Sequence, residues 1–202
     1  MSFLFLDVDG VLCSRAWMTE NQAAMQAERG NMFHHLNPEA GALLQRTLDE
    51  VQDVCIVLSS TWRFNHPPEE LKRWFALTGL HAPIVGYTPE ILTPEHLKPL
   101  RRDLQRGLEI QWWLRTFLPD TYQDACVAIL DDDSDMGDLL PCLTQTRFQT
   151  GFTELEVSYL LQKFDVTLKE SRAAGLNGEI TWEHDALAMQ RNSHRPGWHG
   201  TV

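Results

Sequence analysis

Four stretches of the chain run apolar without a break: 3–6 (FLFL), 54–58 (VCIVL), 82–85 (APIV) and 126–130 (CVAIL). A half-buried strand alternates apolar and polar residues, whereas a continuous short run suits a strand covered on both faces, as inside a parallel sheet. A weaker fifth candidate is 147–150 (RFQT). Helical patterns separate these runs. Asn37-Pro38 has the form of an N-cap with proline at the first helical position, and Leu43, Leu44 and Leu48 follow at helical spacing. Residues 69–77 (EELKRWFAL) and 106–117 (RGLEIQWWLRTF) read the same way, the latter with Leu108, Trp112 and Leu114 turned inward. Thr153 and Glu156 have capping-box spacing ahead of Val157, Leu160, Leu161 and Phe164. Strand and helix thus alternate four to five times, which predicts an α/β fold: a doubly wound parallel sheet with helices on both faces.

Two polar stretches, 13–36 and 89–105, interrupt the alternation and are long enough to reach over a site. Beyond about residue 166 the periodicity fades. The expected organisation is one domain over 1–165 with short insertions at 13–36 and 89–105, followed by an appended helical or irregular tail at 166–202 that carries Trp182, His184, His194, Trp198 and His199.

In an open α/β sheet, ligands bind beyond the carboxyl ends of the strands, so the residues after each apolar run carry the chemistry. After FLFL come Asp7-Val8-Asp9-Gly10; after VCIVL come Ser59-Ser60-Thr61-Trp62-Arg63; after CVAIL come Asp131-Asp132-Asp133-Ser134-Asp135. Positions two apart in an extended segment face one side, which lets Asp7 and Asp9 enter one pocket, and Gly10 permits a sharp turn. Crowded carboxylates repel unless a proton or a cation lies between them. Asp131 and Asp132 add hard oxygen donors, a set that suits Mg²⁺. The serine hydroxyls and nearby backbone N–H groups can hold phosphate oxygens, and Arg106 adds a fixed positive charge. The same acids could form a calcium loop, since Asp131, Asp133 and Asp135 mimic its first ligands, but the glycine falls one place late and the twelfth position is Cys142. Arg63 has two open roles, approaching the phosphate or pinning the following helix. His34-His35 has no partner at metal spacing and reads as structural, and Trp112-Trp113 as packing.

The net charge of −11 argues against broad non-specific nucleic-acid binding. Cys13, Cys55, Cys126 and Cys142 show no CxxC pairing, and Cys55 and Cys126, inside apolar runs, read as small buried thiols. A reducing cytoplasm is expected, and with no run of 18 apolar residues no membrane span is expected.

FLFLDVDGVL, IVLSSTWR, RGLEI and ILDDDSD, in this order, resemble the four motifs of the haloacid dehalogenase-like (HAD) superfamily of phosphohydrolases. The SSTWR and RGxEIxxWL wording is similar to the small HAD domains of RNA-repair proteins. The resemblance covers residues 1–165. It implies that Asp7 takes up the phosphoryl group as an aspartyl-phosphate and that Asp9 protonates the leaving oxygen and then deprotonates the attacking water. It implies Mg²⁺ held by Asp7, the backbone carbonyl of Asp9, and Asp131 or Asp132. Ser59 or Ser60 would bind the phosphoryl oxygens, with Arg106 in the lysine-or-arginine position. The caps of the superfamily would here be minimal, at 13–36 and 89–105, leaving an open site. The implied activity is that of a Mg²⁺-dependent phosphatase on nucleotides or nucleic-acid ends, with Lys98, Arg101 and Arg102 expected to meet a second anionic feature of the substrate. Phosphatase action on small metabolites such as sugar phosphates, or a non-catalytic binding role for the same fold, are the alternatives.

Overall fold

The computed structural model describes residues 1–28, 31–91 and 105–174. Among these, the strands are β1 (Ser2–Leu6), β2 (Val54–Leu58), β3 (Ile84–Tyr87), β4 (Cys126–Asp131) and β5 (Leu143–Gln145). The helices are α1 (Arg15–Glu20), α2 (Gln22–Ala27), α3 (Pro38–Leu48), α4 (Trp62–Asn65), α5 (Pro68–Leu77), α6 (Gln105–Phe117), α7 (Glu154–Phe164) and α8 (Leu168–Ala174). The strands form one all-parallel sheet in the order β3-β2-β1-β4-β5. The expected α/β doubly wound architecture is therefore present.

Strand pleating divides the core into two layers. Leu4, Leu6, Ile56, Leu58, Ala128 and Leu130 face α3, α5 and α7, burying Leu44, Phe75 and Leu160. The alternate residues Phe3, Phe5, Val57, Val127 and Ile129 face α6, burying Ile110 and Trp113. Because both faces are covered, both sets of alternating residues must be apolar, which is why the strands read as unbroken apolar runs. Asn37 caps α3 through Oδ1, which accepts from the Glu39 amide at 2.9 Å, and Thr153 and Glu156 close a reciprocal capping box on α7.

The chain leaves β1 for β2 and β3 on one side, then crosses through α6 to β4 on the other side. Neighbouring connections therefore part at the carboxyl end of β1, the crevice where open α/β sheets bind ligands. Register makes that edge level: Leu6 pairs with Leu58 and with Leu130. Asp7, Ser59 and Asp131 consequently follow as one row on the α6 side of the sheet.

Several sequence expectations are corrected. The fifth strand is residues 143–145, not 147–150; the latter segment turns back on itself through an Arg147–Gly151 bridge, with Gly151 at φ +72°. β3 starts at Ile84 rather than residue 82, since Pro83 has no N–H to give the ladder, although its carbonyl still accepts from the Ile56 amide at 2.7 Å. In α6 the inward tryptophan is Trp113, packed edge-on to Phe3 and Phe5 at 5.5 and 5.6 Å, while Trp112 is only half-buried. Cys55 and Cys126 lie near the amino ends of their strands and are half-buried; the fully buried thiols are Cys13 and Cys142. The described residues of segment 13–36 form α1, α2 and a short 3₁₀ turn (Met32–His35), within the short flap or small helical piece expected there. Leu168 of α8 is wholly buried in the α6-side layer. Lys98, Arg101, Arg102 and the tail residues Trp182, His184, His194, Trp198 and His199 lie outside the described residues.

Candidate active site

The level strand ends place a polar row directly on top of an apolar layer. Thr88, Ser59, Asp7 and Asp131 are 3%, 1%, 4% and 1% exposed, far below what free carboxylates and hydroxyls show. Their backbones are fixed by the last rungs of the sheet: the Asp7 amide donates to Leu130 O at 3.0 Å, the Ser59 amide to Leu6 O at 2.8 Å and the Thr88 amide to Leu58 O at 3.0 Å. The Thr88 and Ser59 hydroxyls face each other at 3.5 Å. Ser60 is also fully buried, close enough to the Asp7 carboxylate to help hold its pKa down. Both serines named from the sequence thus border Asp7.

Beyond β1 the chain makes a tight turn, with the Leu12 and Cys13 amides both donating to Val8 O at 2.9 Å. Gly10 adopts φ +70°, and a Cβ there would lie 2.2 Å from the Asp132 carboxyl carbon. Glycine serves two needs here, the left-handed backbone and the close approach of Asp132. One carboxylate oxygen from each of Asp7, Asp131 and Asp132 then lies within 4.8 Å of the others. The Asp9 side chain is outside that trio and instead accepts from Trp62 Nε1 at 3.0 Å.

Arg106 enters from the first turn of α6. Asp135 holds that turn: its Oδ2 accepts from the Arg106 amide at 3.0 Å and its carbonyl from the Gly107 amide at 3.1 Å. The Arg106 guanidinium donates to Ser59 O, and lies 3.4 Å from Asp131 Oδ2 and 4.0 Å from Asp7 Oδ1.

The electrostatics follow from this crowding. Burial raises the Asp7 pKa to about 6, against the pull of Arg106 and Ser60. Burial and the neighbouring Asp7 charge raise Asp131 to about 8, and burial with the Asp133 charge raises Asp132. For Arg106, burial is outweighed by Asp131 and Asp7, so its pKa rises. Asp131 Oδ2 is buried and makes no hydrogen bond, only the ion pair with Arg106. Three converging carboxylates against one guanidinium, with an unsatisfied buried oxygen among them, form an oxygen donor set that fits a hard divalent cation such as Mg²⁺.

A family model described as the HAD domain in Swiss Army Knife RNA repair proteins matches residues 3–157. The chain belongs to this family. No curated protein and no solved structure matches it. In this HAD domain all four motifs meet at one edge, and family membership places it in general terms among the HAD-type phosphohydrolases.

Four contacts in the HAD site escape a sequence reading. Arg63 donates to Glu109 Oε2 at 2.8 Å, Ser60 O at 2.6 Å and Pro89 O at 3.2 Å, so it ties the loops after β2 and β3 to α6. Glu109 also accepts from Gln105 Nε2 at 3.2 Å; its signal was a lone acid on an otherwise apolar helix face. Asp135, in the loop after β4, accepts from the first turn of α6. Trp62, quoted in SSTWR, reaches Asp9 across 53 positions of sequence. His34 pairs with Glu28 at 3.0 Å, in keeping with a structural role. Among the described residues no helix is long and apolar enough to cross a membrane.

Proposed function

We propose that this HAD domain is a phosphatase in which Asp7 carries the phosphoryl group, and that its substrates are nucleotides or nucleic-acid ends. The observation that supports the reading is the convergence of Asp7, Asp131 and Asp132 within 4.8 Å, with Arg106 paired to two of them. A carboxylate trio of this density repels an anionic substrate unless cations flank it.

In the first step an Asp7 oxygen forms a bond to phosphorus while the bond from phosphorus to the ester oxygen breaks, and Asp9 gives its proton to that oxygen so that the product leaves as an alcohol. In the second step water attacks the same phosphorus. Its proton passes to Asp9, the bond from phosphorus to Asp7 breaks, and orthophosphate leaves with both aspartates restored. Ser59, Ser60 and Arg106 hold the equatorial oxygens, over which the transferring group spreads its charge. Asp7, Asp131, Asp132 and the Asp9 carbonyl would hold Mg²⁺, which when bound offsets the repulsion between phosphate and carboxylates. The family's description as a domain of RNA repair proteins favours a nucleic-acid end over a small metabolite. The four free cysteines fit a reducing compartment, the cytoplasm.

Asp7→Asn keeps the side-chain shape and removes the nucleophile. Turnover of p-nitrophenyl phosphate should fall at least ~10³-fold with circular dichroism unchanged, and a chelator should abolish wild-type turnover until magnesium is restored. Retention of most activity by Asp7→Asn overturns the mechanism. A panel of 3′-phosphorylated oligonucleotides against sugar phosphates decides the substrate class, and preference for the sugars overturns that assignment.

A further inference from the structure

Trp62 is the first residue of α4, a helix of four residues that opens straight out of the Ser59-Ser60 strand end. It is 5% exposed, and its indole ring stands edge-on to Trp74 of α5 at 6.2 Å and 88°, with His66 packed against both rings at 5.6 and 4.9 Å. That cluster fixes the ring, and the fixed ring aims Nε1 at Asp9 Oδ2, 3.0 Å away. An indole N–H donates and cannot accept. It therefore anchors one carboxylate oxygen without competing for the proton, and leaves Oδ1 as the oxygen free to carry it. Burial and the nearby Asp9 charge push the buried Cys13 thiol up to about 12, so it stays neutral beside Asp9. Asp9, alone among the site's acids named from the sequence, is thus gripped by an aromatic cluster rather than drawn into the carboxylate trio.

We infer that Trp62 is a positioning residue for proton transfer, holding Asp9 in the rotamer that hands its proton to the leaving oxygen. This rests on the acid–base role of Asp9 given above. A misplaced general acid costs most where the leaving group needs the proton most, so the loss from a Trp62 variant should scale with leaving-group basicity. A merely structural role lowers all substrates together.

The test compares kcat/KM of the full chain, with magnesium, on p-nitrophenyl phosphate and on phenyl phosphate, whose more basic leaving oxygen depends more on protonation. The parameter kcat/KM reports the step that phosphorylates Asp7 and is insensitive to later hydrolysis. Trp62→Phe keeps the ring and deletes the donor. It should lose about tenfold on phenyl phosphate and less than about threefold on p-nitrophenyl phosphate, within the usual worth of general acid catalysis. The ratio of the two rates is measured on one sample, so a misfolded fraction cancels. If Trp62→Phe does not fold, Trp62→Leu, which also deletes the donor, is read for the same ratio: a greater loss on phenyl phosphate than on p-nitrophenyl phosphate supports the inference, and the wild-type ratio overturns it. Asp9→Asn is run alongside. If it shows the leaving-group bias and Trp62→Phe does not, the positioning role is overturned and the acid–base role stands. If Asp9→Asn is itself unbiased, the underlying mechanism fails.

Discussion

Arg63 and Arg106 are both withdrawn from water, both flank the carboxyl end of the sheet, and both come from the motif segments, yet their surroundings differ. Arg63 meets one counter-ion, Glu109, with side chains 4% and 7% exposed, and its two terminal nitrogens also donate to the Ser60 and Pro89 carbonyls. Its charge is matched and closed off, and it ties the loop after β2 and the loop after β3 to α6. Arg106 faces Asp7 and Asp131 together, with Asp132 next to them. Its surroundings hold more negative than positive charge. A matched buried pair is a scaffold element. An unmatched cluster is unstable alone and becomes favourable when a further cation arrives, which is the behaviour expected of a binding site.

The largest effect that would sharpen this contrast is on stability. Glu109→Gln strands Arg63 as an uncompensated buried charge and should cost about 3–5 kcal/mol in denaturant unfolding. The folded fraction should keep kcat within a few-fold. The double replacement Arg63→Met with Glu109→Leu should recover much of that loss, and failure to do so would break the view of the pair as scaffold. Next, Arg106→Met should lower kcat/KM on p-nitrophenyl phosphate by about 10²–10³-fold, the range for removing one preorganised charge from a transition state. An equal loss of activity from the Arg63 and Arg106 replacements would erase the distinction.

A smaller effect concerns pH. The folded-state pKa values of Asp7 and Asp131, about 6 and about 8, lie above the ordinary 3.8. The folded protein therefore keeps protons that the unfolded chain releases. The stability they contribute is complete below 3.8 and is lost as pH rises through about 6 and then about 8. In chelator, the melting temperature should decline over that window. Added magnesium should raise it more at the alkaline end than at the acid end, since the ion replaces the protons. A magnesium effect independent of pH would contradict the shared-carboxylate account. The smallest effect belongs to Thr88→Val, which removes the hydroxyl facing Ser59 and should change stability by about 1 kcal/mol or less with rates within about twofold.

Much of the fold was legible because covered strands cannot hide polar residues: the runs at 3–6, 54–58 and 126–130 all lie within strands. The fifth strand was missed because an edge strand of three residues, Leu143 to Gln145, carries too little apolar signal to outweigh the RFQT segment that follows. Trp112 and Trp113 are adjacent and both apolar, so helical period alone cannot choose between faces about 100° apart. The acids, Ser59, Ser60 and Arg106 could be read because each lies directly at a strand end or helix start. The partners of Trp62 and Arg63 could not, since Asp9 and Glu109 lie 53 and 46 positions away and only the folded sheet brings them near.

The zero-offset register of β1 with β2 and β4 carries a further consequence. Inserting or deleting one residue ahead of Asp7 would rotate its carboxylate to the opposite side, into the aliphatic layer beneath α3. Substitutions within β1 can drift among Leu, Ile, Val and Phe, but the number of residues in it cannot change. In descendants of this gene, length variation should gather in the loops and be purged from this strand.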